Sequence, residues 1–320
     1  MDVNMKKIIP VFFSSDERYL PYLSVTIESI KRNMSKNFEY EVKVLCSDFS
    51  DEGRKNLKKM QCNGLKIEVV SLEEKIKDKR EQLSLRLRDY YSEAIFYRLF
   101  IPSLFPDLDK AIYIDCDTVL NTDIAELYLT ELGENIIGAV SDESIPSVPE
   151  FCDYVKNYLG VEVPDYINSG VLVMNLDAFR KERIEEKFLK ILASKNPDTV
   201  APDQDYLNVL CKGKIHHLPH VWNKQPKPES LIPASETKLI HYNMFNKPWH
   251  YKGIPYEKEF WDYAKTSKYY GELLRDFASY TEEQRAADIE GAKKLAAHAA
   301  LLAEEKTTFF ELVNDGVNAI

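Results

Sequence analysis

Glycine is scarce. The 320 residues hold 11 glycines, about half the usual frequency. Neither G-x-G-x-x-G nor G-x-x-x-x-G-K-S/T occurs. A glycine-rich phosphate cradle is therefore excluded, and any phosphate bound here must be neutralised by a metal or by cationic side chains. Long apolar runs are also missing. None approaches the ~20 residues of a membrane span. The N-terminal MDVNMKKIIPVFFSSDE has too short an apolar stretch for a secretory signal. The five cysteines, Cys46, Cys62, Cys116, Cys152 and Cys211, are scattered, with no C-x-x-C pair. That argues against a disulfide framework or zinc knuckle and for a reducing compartment, so a cytoplasmic location is expected. Net charge is −10, with no long basic block. Nucleic acid is thus a poor partner.

What is there is apolar enough to fold. Hydrophobic residues make up 44% of the chain, sufficient for one large α/β domain with an appendage or for two small domains. KIIPVFF (7–13) reads as a strand, and 20–34 carries Leu20, Leu23, Ile27 and Ile30 at helical spacing. EVKVLCSDFS (41–50) is a strand and its turn. Ser50 or Asp51 can cap a helix to about Met60, and LKIEVVSL (65–72) is a third strand. The β-α-β-α-β order predicts a mostly parallel sheet with crossover helices.

After a polar stretch, 73–92, SEAIFYRLFIPSLF reads as a helix. IIGAVSD (136–142) and YINSGVLVMNL (166–176) read as strands, separated by a loop or lid, 141–165, with Pro146, Pro149 and Pro164. Helices are expected over 177–195 and 201–213. Residues 215–262 are irregular, aromatic and proline-rich, and hold five of the six histidines. An alanine-rich helical stretch follows. The expected division is 1–262 as the main α/β domain and 263–320 as helical extension.

IYIDCDTVL (112–120) raises the chemical question. In an extended strand, Asp115 and Asp117 point to one side and Cys116 to the other. Ligands of open α/β sheets sit beyond the carboxyl ends of the strands. Two carboxylates there repel unless a cation lies between them, and Mg²⁺ or Mn²⁺ is the natural occupant. The pair is equally compatible with an N-cap beside a solvated turn. It would also suit a phosphohydrolase or a nucleotidyltransferase. LIHYNMFNKPWHY (239–251) adds His241 after a short apolar strand and Lys247 six residues on. Histidine beside two carboxylates favours Mn²⁺ over Mg²⁺, and lysine is a point charge for phosphate. His216, His217 and His220 are assigned to structure or acceptor binding.

With these segments in hand, the chain over about 6–262 resembles glycosyltransferase family 8, which includes bacterial lipopolysaccharide galactosyl- and glucosyltransferases and glycogenin. IYIDCDTVL is similar to the family's D-x-D strand, and YINSGVLVMNL to its Asn-(Ala/Ser)-Gly-Val strand. PDQDYLN is similar to its D-Q-D helix start, and HYNMFNKPW to its H-(Y/F)-x-G-x-x-K-P-W segment. The four occur in the family's order.

The resemblance implies a GT-A fold, a Rossmann-like mostly parallel sheet flanked by helices. It also implies a UDP-sugar donor, Mn²⁺, and transfer of glucose or galactose with retention of configuration. Asp115, Asp117 and His241 would bind the metal, and Lys247 the diphosphate. Asp16 would bond the uracil and Tyr19 stack on it. Arg98 would reach the donor, and Asn168 and Ser169 would lie along the sugar. Asp203 would hold sugar hydroxyls, and Gln204 sits where the family's debated nucleophile or stabilising group lies. With an amide there, front-face attack by the acceptor hydroxyl is the expected route.

The acceptor would be a glycan, glycolipid or glycoprotein. Read singly, Tyr19 and Trp249 are equally core aromatics, and Arg98 a buried ion-pair partner. Asp203 is equally a helix-start charge, and Asn168 a turn residue. Met244 departs from the family's glycine, which puts the phosphate contact in question. The C-terminal helices, without a polybasic anchor for a membrane, are expected to serve homo-oligomer contact or acceptor docking. Two other functions fit parts of the pattern: a nucleotide-sugar-binding protein without transfer activity, and a metal-dependent nucleotidyltransferase or phosphohydrolase.

Overall fold

The computed structural model describes residues 6–47, 49–72 and 93–318. Seven strands form the central sheet. They are β1 (Lys7–Ser14), β2 (Phe38–Cys46), β3 (Leu65–Ser71), β4 (Lys110–Ile114), β6 (Ile137–Ser141), β7 (Ile167–Asn175) and β8 (Ile215–His217). Their order is β3-β2-β1-β4-β7-β6-β8. β5 (Thr118–Leu120) and β9 (Leu239–His241) pair separately as an antiparallel ribbon. The longer helices are α1 (Leu20–Asn33), α2 (Asp51–Lys59), α3 (Ile184–Ser194), α4 (Pro202–Leu210), α5 (Glu257–Ala264), α6 (Tyr270–Ser279), α7 (Glu282–Ala303) and α8 (Phe309–Asn318).

The β-α-β-α-β opening forms as the apolar spacing predicts, with β1, β2 and β3 parallel and β4 parallel to β1. α2 starts at its expected cap: the Ser50 hydroxyl accepts from the Gly53 N–H. β7 is the exception to parallel order and runs antiparallel to both β4 and β6. This reversal builds the site. It sets the start of β7 against the end of β4, with the Asp115 N–H donating to the Gly170 carbonyl at 2.8 Å.

Four segments differ from the sequence-based expectation. The run 112–120 is two strands joined by a turn at 115–117, held from α1. The Thr26 hydroxyl lies 2.8 and 2.7 Å from the carbonyl oxygens of Cys116 and Thr118. The helix expected from 92 is a 3₁₀ stretch, Glu93–Phe100, and a short α-turn, Ile101–Leu104. Pro102 is tolerated only in a helix's first turn, so it forces the restart. The helix expected over 177–195 breaks at Arg183, whose φ is +56°. The 141–165 segment is built rather than loose. It carries the helix Pro149–Asp153 and the π-turn Tyr154–Tyr158, and Tyr154, Val155 and Tyr158 are buried.

The C-terminal helices share the core of the sheet. Ala299, Leu302, Phe309 and Val313 belong to one buried cluster with Tyr158, Phe188 and Tyr206. Phe309 is fully buried and meets the Tyr206 ring edge-on at 5.0 Å. No helix among the described residues is long and apolar enough to cross a membrane. Truncating a buried Phe removes its transfer energy and leaves a cavity, so Phe309→Ala should lower stability by about 3–5 kcal/mol in guanidinium unfolding. An unchanged midpoint would mean that α8 is detachable.

Candidate active site

The turn between β4 and β5 concentrates negative charge, and each carboxylate meets a cation from elsewhere. Asp115 Oδ1 accepts from Arg98 Nη2 at 3.0 Å and from the Tyr113 hydroxyl at 2.9 Å. Asp117 Oδ2 accepts from Lys247 Nζ. Burial alone would push Asp117 up; the Lys247 ammonium opposes it, and the carboxyl is held well below the usual range. The ribbon brings in the histidine, because Thr118 pairs with His241 across β5 and β9. His241 Nε2 lies 3.2 Å from Asp117 Oδ1 and 3.8 Å from Asp115 Oδ2.

The protonation of His241 follows from a chain of amides. A carboxylate only accepts, so Asn168 turns its Nδ2 to Asp142 Oδ2, at 3.0 Å. Asn168 Oδ1 then accepts from Asn223 Nδ2 at 2.9 Å, which leaves Asn223 Oδ1 facing His241 Nδ1 at 2.9 Å. Nδ1 must therefore carry a proton. In the neutral ring, Nε2 presents a lone pair to two carboxylates. With Nε2 unprotonated, three acceptors face one another, an arrangement that a cation between them satisfies. Oxygen and nitrogen donors from Asp115, Asp117 and His241 all lie within 4.8 Å of one another, the donor set of a divalent metal with some preference for Mn²⁺.

Gly170 keeps that space open. A Cβ at this position would lie 2.3 Å from His241 Cε1 and 2.6 Å from Asp115 Oδ2. The glycine of the Asn-Ser-Gly strand is thus required by close approach, and the residues present fit a bound metal.

The other expected residues gather around this centre. Arg98 is 4% exposed. It bridges Asp115 to Asp203, at 3.0 and 3.1 Å, and donates to the Ser169 carbonyl at 2.7 Å. Ser169 Oγ donates to Asp203 at 2.8 Å, and the Ser169 N–H to Gln204 Oε1 at 3.0 Å. Gln204 Nε2 donates to Asp142. Asn168, Ser169, Asp203 and Gln204 are buried and reach the centre through Arg98, Asp142 and Asn223.

Asp16 caps a 3₁₀ turn by accepting from the Tyr19 N–H at 3.1 Å, and pairs with Arg18. Tyr19 is 40% exposed and meets Tyr22 edge-on. Tyr22 in turn stacks on Trp249 at 4.1 Å. The Trp249 of the Lys-Pro-Trp segment is thereby core, a strut under the site. Met244 holds φ at +58°, the left-handed region that glycine favours. The chain keeps the loop conformation and accepts the strain of a side chain in it.

Asp115, Asp117, Arg98, Tyr19, Asp16 and Lys247 line one cavity of about 670 Å³. His216, His217 and His220 lie elsewhere: His217 faces Asp165 and His220 faces Glu143. Three participants were not foreseen, Asp142, Asn223 and Gly170. Asp142 ends a strand with a polar residue, its only local signal, whereas Gly170 stands inside the Asn-Ser-Gly strand, whose motif marked it without giving it a role. Gly170→Ala should leave the far-UV spectrum intact but displace His241. Mn²⁺ affinity should fall about 10–100-fold by calorimetry. Retained affinity would remove His241 from the donor set.

Residues 10–253 match the sequence profile of glycosyl transferase family 8, well over half the chain. A lipopolysaccharide 1,2-glucosyltransferase of Escherichia coli K12 is 28% identical over 277 residues, 80% of this chain and 78% of that protein. General stress protein A of Bacillus subtilis is 24% identical, covering 82% and 95%. Among solved structures, the galactosyltransferase LgtC in complex with donor and acceptor sugar analogues superposes with a TM-score of 0.63 at 22% identity, over 87% of this chain and 99% of that one. The bifunctional glycosyltransferase WbbM gives 0.71 at 22% identity over 86% of this chain, which spans 53% of its length. The chain belongs to glycosyl transferase family 8 and has the GT-A fold.

Proposed function

We propose that the protein is a retaining hexosyltransferase that moves glucose or galactose from a UDP-sugar to a hydroxyl of a glycan, glycolipid or glycoprotein, with Mn²⁺ as cofactor. The observation that carries this reading is the His241 Nε2 lone pair aimed at two carboxylates on the wall of a nucleotide-sized cavity. The named activity of the Escherichia coli relative supports a hexose donor and a cell-envelope glycan acceptor. The free cysteines fit a cytoplasmic site of action.

Asp115, Asp117 and His241 would hold the divalent metal. Bound there, it supplies Lewis-acid stabilisation of the departing diphosphate. Lys247, now paired with Asp117, adds a buried positive charge beside the same group. Asp16 and Tyr19 offer a carboxylate and an exposed ring to a uracil. Asn168 and Ser169 would act on the sugar space from behind, through Asn223 and Arg98, and Arg98 fixes Asp115 and Asp203.

The carboxylates next to the site are heavily engaged. Asp203 Oδ2 accepts from Ser169 and Arg98. Asp142 accepts from Asn168, Gln204, Gln225 and the Ser144 N–H. Asp205 accepts from two tyrosines and the Ala201 N–H. The Gln204 amide is used at both ends. None is poised as a free nucleophile. Front-face transfer follows: the C1–O bond to phosphate breaks, the acceptor oxygen bonds C1 from the same side, and its proton passes to the departing phosphate oxygen. The transition state is oxocarbenium-like.

Incubation with Mn²⁺ and each UDP-hexose, in water alone, provides the test. Slow hydrolysis should release UDP and the α-hexose, read by NMR before mutarotation. Free diphosphate would indicate nucleotidyl transfer instead, and a β-hexose would indicate inversion.

A further inference from the structure

Helix α7 lies outside the segment matched by the family profile, which ends at residue 253, yet it forms a wall of the donor cavity. Gly291, Lys294, Leu295 and His298 line the same space as Asp115, Asp117 and Lys247. These positions recur at three and four residues, one face of a helix. The face is not placed by chance packing. Thr281 and Gln284 form a capping box that fixes where α7 begins. The hydroxyls of Tyr251 and Tyr280 both donate to Asp288 Oδ2 at 2.7 Å. Arg285 donates to the His250 carbonyl at 3.3 Å. The His250 ring stacks on Tyr280 at 3.7 Å and 5°. The Tyr251 and Arg285 hydrogen bonds tie the first turns of α7 to residues directly after Lys-Pro-Trp, and the His250 stack ties in the residue just before its cap.

The next turn meets the 244–247 loop itself. A Cβ at Gly291 would lie in ordinary contact with the Phe245 ring, at 3.4 Å, so the helix packs directly beside residues 244–247. Three residues on, about 4.5 Å along the axis, stands Lys294. Farther along, His298 pairs with Asp198 at 3.3 Å and fixes the far end of the wall. Among the described residues, the other lysine and arginine side chains of the cavity are in ion pairs: Arg18 with Asp16, Arg98 with Asp115 and Asp203, Lys247 with Asp117. Lys294 makes no ion pair with any described residue and is exposed on the wall. Its neighbour Lys293 is exposed too but does not line the cavity.

We infer that Lys294 is a second cation for the diphosphate of the bound nucleotide, supplied by the C-terminal helix to the cavity that Lys247 also lines. The inference rests on the UDP-sugar reading above. It gives residues beyond 262 a part in donor binding, and it supplies positive charge to a site that has no glycine loop.

Titration of UDP in the presence of Mn²⁺ tests it on four full-length proteins: wild type, Lys294→Ala, Lys294→Arg and Lys293→Ala. Alanine is the best helix former, so the lysine variants should fold as wild type, checked by circular dichroism. Losing one charge-assisted contact should weaken UDP binding by Lys294→Ala about tenfold. Lys294→Arg should keep most of the affinity, and Lys293→Ala all of it. Raised salt should narrow the difference between wild type and Lys294→Ala. Equal affinity for wild type and Lys294→Ala overturns the inference and leaves the UDP reading standing. An equal loss in Lys293→Ala also overturns it, since the effect would then be general field rather than contact. A wild type that binds no UDP removes the UDP reading itself.

Discussion

Two carboxylates held at the end of a buried strand repel one another, and the structure around them is arranged by that repulsion. Water screens such a pair only weakly once the site is partly buried. Arg98 takes one oxygen of Asp115 and Lys247 one oxygen of Asp117. The two remaining oxygens face His241. The tautomer of that histidine is set three hydrogen bonds away, at Asp142, through Asn168 and Asn223. A single charge problem thus connects six segments of the chain. It leaves a hole of the right donor chemistry for a divalent cation.

The topology supplies the proximity. A wholly parallel sheet would carry the start of β7 to the end opposite Asp115. Because β7 runs antiparallel, Asn168, Ser169 and Gly170 arrive beside the carboxylates. The β5–β9 ribbon then delivers His241 one residue from Asp117. Few glycines are present, and one stands where two side chains would otherwise collide with a Cβ. Where glycine would ease the backbone, at position 244, methionine holds the left-handed conformation instead.

Much of this was legible in the residues, because the relevant patterns are local. Alternating and helical apolar spacing marked β1, α1, β2, α2 and β3. The D-x-D pair, His241 and Lys247 were visible as types of chemistry at defined spacing, and the resemblance named their partners. Arg98 was readable either as a donor contact or as a buried ion-pair partner. The structure makes it a bridge between Asp115 and Asp203. Asp142 and Asn223 were not legible. Each acts through hydrogen bonds to residues at least 18 positions away, and neither sits in a periodic segment that would single it out. The break at Arg183 and the order within 141–165 were hidden for a related reason. Both are fixed by tertiary packing that overrides local preference. The alanine-rich α7 read as an appendage because its cavity-lining face is short and mixed in character.

The central claim is that Asp115, Asp117 and His241 form a metal site completed by a nucleoside diphosphate. Calorimetric titration of UDP with and without Mn²⁺, on wild type and Asp117→Asn, tests it most directly. The account predicts binding that requires Mn²⁺ in wild type and collapses in Asp117→Asn. Binding that is indifferent to Mn²⁺, or that survives the substitution, would contradict it, and the paired aspartates would then serve the fold rather than the donor.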